Sequence, residues 1–349
     1  GCHIRIAQCQ KSGLFDPAIQ KTAREESVIG RSFIFAACLV ASAVAAPAAR
    51  AEWPDRAIHW IVGFAPGGAN DLIPRFTAEG VSKLIGQPVV IDNRPGAGAL
   101  IATDLAAHAQ PDGYTFLVGA ANTVTNSLLL KDMPYKDSDL VPVGMIAAAP
   151  STIVVNPSVP ASNMAEFIAW AKAQDGKATW STAGNGSTPD FVGEMIKEAT
   201  GVSFTIVPYR SGGDSVNGVI ANDVSATSEA SIVVLPKIEA GMLKAIATTY
   251  EKRISIYPSI TTTAEQGFPT VQISHWAGLF APAGTPGPII ERMNAALQAA
   301  LKMPEVRSKL TANAIEPIGG SVAEFTTFMK TERQRLSELA AHMKVNKEN

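Results

Sequence analysis

Two glycine-bearing segments have the makings of anion-binding loops. Phe64-Ala65-Pro66-Gly67-Gly68-Ala69-Asn70-Asp71 ends an apolar run and opens a helical pattern. Glycines let a backbone come close to a ligand, and the free N–H groups at a helix start, at the positive end of its dipole, suit a carboxylate or a phosphate. Asn70 or Asp71 could equally be a plain helix cap. Thr182-Ala183-Gly184-Asn185-Gly186-Ser187-Thr188-Pro189 repeats the arrangement and adds hydroxyls. Neither this segment nor Pro95 to Ile101 completes GxGxxG, and no Gly-Lys-Ser/Thr follows, so nucleotide binding is disfavoured.

Other candidates carry a bland reading beside the functional one. Arg210, in Tyr209-Arg210-Ser211-Gly212-Gly213, could grip a carboxylate with both prongs of its guanidinium, or be a solvated surface arginine. Asn122, Thr123 and Asn126 could offer neutral hydrogen bonds or merely cap a helix. Within Ser228-Glu229-Ala230, Glu229 could hold an ammonium or a hydroxyl group, or sit exposed beside a cap. His275 and Trp276 lie in a strand; the indole could stack on a flat ligand, although core packing is the commoner fate of tryptophan. His59, His108, His275 and His342 show no HExxH or other ligand spacing, so neither a metal nor a cofactor is expected. With no GxSxG and no poised acid–base pair, no catalytic residue is nominated.

The elements that must position these residues alternate along the chain. Strands are predicted at Ile58 to Phe64, Pro88 to Asp92, Tyr114 to Gly119 and Val143 to Val155, with helices at Asp71 to Ile85, Leu100 to Ala109 and Thr123 to Lys131. A second series has strands at Ala178 to Thr182, Phe204 to Pro208, Asp223 to Thr227, Leu243 to Thr249 and Gln272 to Pro282. Its helices fall near Met164 to Gln174, Pro189 to Thr200, Asp214 to Ala221 and Ile232 to Ala240. After Pro286 the pattern is purely helical: Pro288 to Met303, Pro304 to Asn313 and Val322 to Met343. Such alternation predicts an α/β fold with mostly parallel sheets, and two series predict two lobes. The candidate loops fall at strand ends, where open α/β sheets bind ligands.

The 349 residues carry 46% hydrophobic and 17% charged side chains and a formal charge of −2, which excludes collagen, coiled coil, wholesale disorder and a strongly basic face for nucleic acid. All three cysteines, Cys2, Cys9 and Cys38, precede residue 39. Ser32 to Ala46 is uncharged, follows Arg31 and leads to Ala49-Arg50-Ala51, the pattern of a secretory signal with cleavage before Glu52. Lipidation at Cys38 is a minor alternative. Glu25 and Glu26 are out of place in a leader, so translation is expected to begin near Val28. Residues 52–349 hold 23 basic and 28 acidic side chains, a charge of −5, and no cysteine. No thiol chemistry is then open to the mature chain, and lacking another long apolar run, it is expected to be soluble and periplasmic.

Several blocks resemble the Bug receptors, the extracytoplasmic solute-binding subunits of tripartite tricarboxylate transporters. They are Trp53 to Arg56, Phe64 to Asp71, Asp92 to Gly98, Pro111 to Thr115, Ser181 to Gly186, Val207 to Tyr209 and Leu279 to Pro286. The resemblance implies a two-lobed periplasmic binding protein of the type II flytrap kind with an interlobe ligand cleft. Its lobes would be 52–152 plus 275–349, and 153–274, after a 1–51 upstream segment and signal peptide. It further implies a monomer without catalysis or nucleic-acid partner that delivers an organic acid to membrane subunits. A ligand carboxylate would be held mainly by backbone amides, which nominates Ala65, Gly67, Gly68, Asn70 and Asp71, then Ala183, Gly184, Asn185 and Ser187. Phe64, Asn122, Thr123, Arg210, Ser228, Glu229, His275 and Trp276 complete the expected site. The family's second aromatic after Trp276 is here Ala277, which would widen the pocket, and dicarboxylates and aromatic acids such as terephthalate both fit. The rival reading is an exported hydrolase or transferase using the same cleft.

Overall fold

The computed structural model describes residues 52–342. The expected signal segment, the start near Val28, Cys38 and the end of the final helix at Met343 lie outside the described residues. Ten strands and ten α-helices follow in chain order among the described residues. They begin β1 (Ile58–Val62), α1 (Ala69–Ile85), β2 (Val89–Asn93), α2 (Leu100–Ala107), β3 (Thr115–Gly119), α3 (Ala121–Leu129) and β4 (Leu140–Val155). The middle of the chain forms α4 (Met164–Ala173), β5 (Thr179–Thr182), α5 (Thr188–Thr200), β6 (Thr205–Pro208), α6 (Gly212–Ile220), β7 (Ala226–Ala230), α7 (Ser231–Glu239) and β8 (Lys244–Thr248). It closes with β9 (Ser274–Pro282), α8 (Gly287–Lys302), α9 (Pro304–Thr311), β10 (Glu316–Pro317) and α10 (Val322–His342).

The strands form two sheets that share β4. In the first the order is β2-β1-β3-β9-β4, with β10 on the far edge of β4; in the second β4 lies between β8 and β7, followed by β5 and β6. Along β4, Leu140 to Pro150 pair with β9, and Ser151 to Val155 pair with β7. The sixteen-residue strand is therefore common to both sheets. Its length and near-continuous apolar sequence follow from burial along almost every position.

Two expectations need correction. The sheets are mixed rather than mostly parallel, because β4 and β9 run antiparallel to their neighbours. A strand buried on both faces reads as the same apolar run in either direction, so its pattern carries no polarity. The terminal segment is also not purely helical, since β10 adds a two-residue edge beside Ala147 and Ala148. Glu316-Pro317 is too short to show periodicity. Among the described residues no helix is long and apolar enough to cross a membrane.

Candidate functional site

Strand ends of both sheets converge on a narrow cavity. The starts of four helices line it: Gly68, Ala69 and Asn70 at α1; Ala120, Ala121 and Asn122 at α3; Ser187, Thr188 and Pro189 at α5; and Gly212 at α6. Phe64, Ala183, Glu229, His275 and Trp276 complete the lining. Unpaired amides and the positive dipole end of each helix thus face one enclosed space. Such a convergence favours an anion.

The two glycine loops are held by the same device. Gly67 N–H donates to Asp71 Oδ2 at 3.1 Å, and Gly186 N–H donates to Asp190 Oδ2 at 2.8 Å. Gly67 at φ +97° and Gly186 at φ +72° occupy left-handed backbone that a side chain would strain. In each loop the aspartate lies four residues after the glycine, in the first turn of the helix, and ties the loop back on itself. Asp71 also accepts from Arg75 and from Asn93, and Asn93 Nδ2 donates to the Phe64 carbonyl at 2.9 Å. Burial alone would raise the Asp71 carboxyl, but hydrogen bonds from Arg75, Asn93 and Gly67 together with the Arg75 charge hold it below its ordinary value. Asp190 lacks a comparable cation, and burial pushes it up to about 6 against the opposing Gly186 amide.

Across the cleft the loops touch. Asn122 Nδ2 donates to the Asn185 carbonyl at 2.8 Å, Thr125 Oγ1 to the Gly186 carbonyl at 2.9 Å, and Ala65 N–H to the Arg210 carbonyl at 3.5 Å. Gly68 packs backbone to backbone against Gly212: a Cβ on Gly68 would lie 3.4 Å from Gly212 N.

Of the nominated residues, Phe64, Gly68, Asn70, Asn122, Ala183, Ser187, Glu229, His275 and Trp276 line the cavity. Ala65, Gly67 and Asp71 form the loop behind it. Thr123 Oγ1 accepts from Ala120 N–H at 3.2 Å, a cap, and Ser228 is buried with its hydroxyl unpartnered and outside the lining. Gly184, Asn185 and Arg210 line a separate, more apolar groove with Leu100, Leu129 and Tyr209. The Arg210 side chain is 79% exposed, and its nearest carboxylate is Asp214 at 3.8 Å. Trp276 is buried, donates to Glu332 Oε1 at 3.1 Å and meets Phe328 edge-on. Ala277 lies fully buried in the core and does not line the cavity, so its small size does not widen it. Ala120, Ala121, Thr188, Pro189 and Gly212 line the space without having been nominated. Their signal was available, because each begins a helix immediately after a strand end.

Glu229 and His275 are the ionisable residues in the lining. Burial pushes the Glu229 carboxyl up to about 7, with the Ala230 N–H on Oε1 opposing, and lowers the His275 imidazole to about 3. Their closest approach, Nε2 to Oε1, is 3.4 Å, yet Nε2 makes no hydrogen bond. A carboxyl raised by folding contributes stability that is complete below its unfolded value near 4.5 and lost as pH climbs through about 7. A lowered histidine acts in the opposite sense, losing stability as pH falls from 6.5 towards about 3. Glu229→Gln is accordingly expected to be more stable than the parent at pH 8, by up to about 3 kcal/mol, and to lose that advantage at pH 4.5. Urea titrations at both pH values check this; an advantage equal at both removes the assignment to Glu229.

Two mixed sheets joined through a shared strand, with helix starts closing on an enclosed polar cavity, define a solute-binding protein of the two-lobed periplasmic kind. The profile of the tripartite tricarboxylate transporter family receptor matches residues 73–345. The chain belongs to that family, whose members are binding receptors rather than enzymes. Protein BugT of Bordetella pertussis is 32% identical over 300 residues, covering 85% of this chain and 92% of that protein. Among solved structures, R. palustris Rpa4515 with adipate superposes with a TM-score of 0.81 at 31% identity, covering 83% of this chain and 98% of that one. MatC from Rhodopseudomonas palustris with bound malate gives a TM-score of 0.79 at 27% identity, covering 82% and 100%.

Proposed function

We propose that this receptor captures a small organic carboxylate in the periplasm and presents it to the membrane subunits of a tripartite tricarboxylate transporter. The convergence of four helix starts on one closed cavity carries the reading. Backbone N–H groups at Gly68 to Asn70, Ala121 to Asn122 and Thr188 hold the carboxylate at contact distance, where the net charge of the molecule matters little. The lobes are residues 52–152 with 275–349, and 153–274; the exchange of β4 partners at Pro150 and Ser151 supports this division. Closure brings Asn122 onto Asn185 and Thr125 onto Gly186, so a bound anion favours the state in which these bonds form. The adipate and malate held by the two structural neighbours support a carboxylate as ligand. An aromatic acid such as terephthalate has less support, because Arg210 lies outside the cavity and the Trp276 indole is already engaged.

A thermal-shift panel of aliphatic mono- and dicarboxylates and aromatic acids tests the reading. A ligand present at about 100 times its Kd adds about 2.7 kcal/mol, a rise of roughly 5 °C or more. Should no carboxylate move the melting temperature, the receptor reading for this class fails.

A further inference from the structure

One end of the cavity presents hydrogen-bond acceptors and no cation. Glu229 and His275 are each 3% exposed, and the other side chains of the lining are neutral, with neither lysine nor arginine among them. Glu229 Oε1 accepts from Ala230 N–H at 2.8 Å, while Oε2 lies against Gly212 without a hydrogen bond. Two lining atoms are buried and unpartnered: His275 Nε2, 3.4 Å from Glu229 Oε1, and Asn70 Oδ1. Buried polar atoms are nearly always satisfied, so two orphans beside the Glu229 carboxyl at one cavity mark where ligand atoms belong. A second ligand carboxylate lodged there would meet the Glu229 carboxyl in a low-dielectric space with no cation to offset it. A hydroxyl or an ammonium would instead donate to the Glu229 carboxylate, with Asn70 Oδ1 and the imidazole as further acceptors.

We propose that the ligand carries a hydrogen-bond donor, a hydroxyl or an ammonium, in addition to its carboxylate, and that Glu229 selects for it. The inference rests on the carboxylate-receptor reading and narrows its substrate class. Selectivity arises because an unsubstituted acid leaves the buried acceptors unpaired, a loss that exceeds the gain from any added apolar contact.

Calorimetric titration at pH 7.5 with matched series provides the test: propionate, lactate and alanine; succinate, malate and aspartate; adipate, 2-hydroxyadipate and 2-aminoadipate. In whichever series binds, the hydroxy or amino member is expected to bind at least about tenfold more tightly than the unsubstituted acid. Glu229→Gln, which keeps the shape and removes the charge, is expected to reduce that preference about tenfold or more, with the amino member losing most. The variant's circular dichroism and melting confirm that it folds. If an unsubstituted acid binds as tightly as its derivatives in the parent protein, the donor proposal is overturned and the carboxylate reading stands. An unchanged preference in Glu229→Gln removes Glu229 as the selector. If no member of any series binds, the carboxylate reading fails and the proposal goes with it.

Discussion

Gly212→Ala is expected to remove carboxylate binding while leaving the fold in place. A Cβ at this position would sit 1.7 Å from Glu229 Oε2 and 2.3 Å from its Cδ, far inside contact distance. The residue is the first of α6, outside the left-handed backbone region, so alanine imposes no strain of its own. Relief must come from the Glu229 side chain, which is enclosed by protein except where it borders the cavity. It therefore swings into the space meant for the ligand. Affinity is expected to fall on the order of 100-fold, with a stability loss of about 1 to 3 kcal/mol from overpacking. Calorimetry on the best binder of the panel, alongside thermal melts, measures both. Adding Glu229→Ala empties the space again and is expected to return part of the affinity. Binding within about threefold of the parent in the single variant would mean that Glu229 has another place to go.

Trp180→Ala is expected to cause the larger loss of stability, about 3 to 5 kcal/mol. The indole is fully buried beneath the second sheet, stacks on Phe204 at 5.5 Å and leans on Phe167 at 6.3 Å. Its Nε1 donates to the Pro189 carbonyl at 2.8 Å, and Pro189 lines the cavity. Removing the ring therefore opens a void and also releases the start of α5. Trp180→Phe keeps most of the packing but leaves the Pro189 carbonyl without its donor, a cost of about 1 to 2 kcal/mol. Chemical denaturation of both variants gives the comparison; equal losses would mean that the hydrogen bond, not the packing, dominates.

These residues also show how far chemical reading of the chain extends. The glycine loops were legible because Gly67 and Gly186 stand where backbone turns left-handed, and the alternation of strand and helix placed them at sheet ends. Strand β7 was harder: it was expected three residues too early, at Asp223 to Thr227. Its sequence, Ala-Thr-Ser-Glu-Ala, offers no apolar alternation, although every residue is buried. Buried polar strands betray themselves only through partners, here the Ser181, Ser215 and Thr227 hydroxyls that satisfy one another. The direction of a side chain is equally invisible in sequence. Arg210 projects outward, towards Asp214, whereas Glu229, with the same prospect of exposure, is enclosed. Asp71 and Asp190 show a third limit, since one spacing serves both a ligand contact and a brace. The structure puts Asp71 behind its loop and reveals Asp190 as its counterpart in the other sheet.

The position of β9 governs the order in which the molecule can be built. Residues 274–282 form the strand that separates β3 from β4, so the first sheet has a gap until that late segment is available. The second sheet leans on the far half of β4, whose near half stays without its main partner for as long as the gap persists. A growing chain that stops short of Ser274 therefore holds every strand of the second sheet but neither a finished first sheet nor the His275 and Trp276 wall of the cavity. Completion of the first sheet, and of the cavity it helps to wall, thus waits on a segment far in sequence from the strands it joins, whereas the second sheet does not.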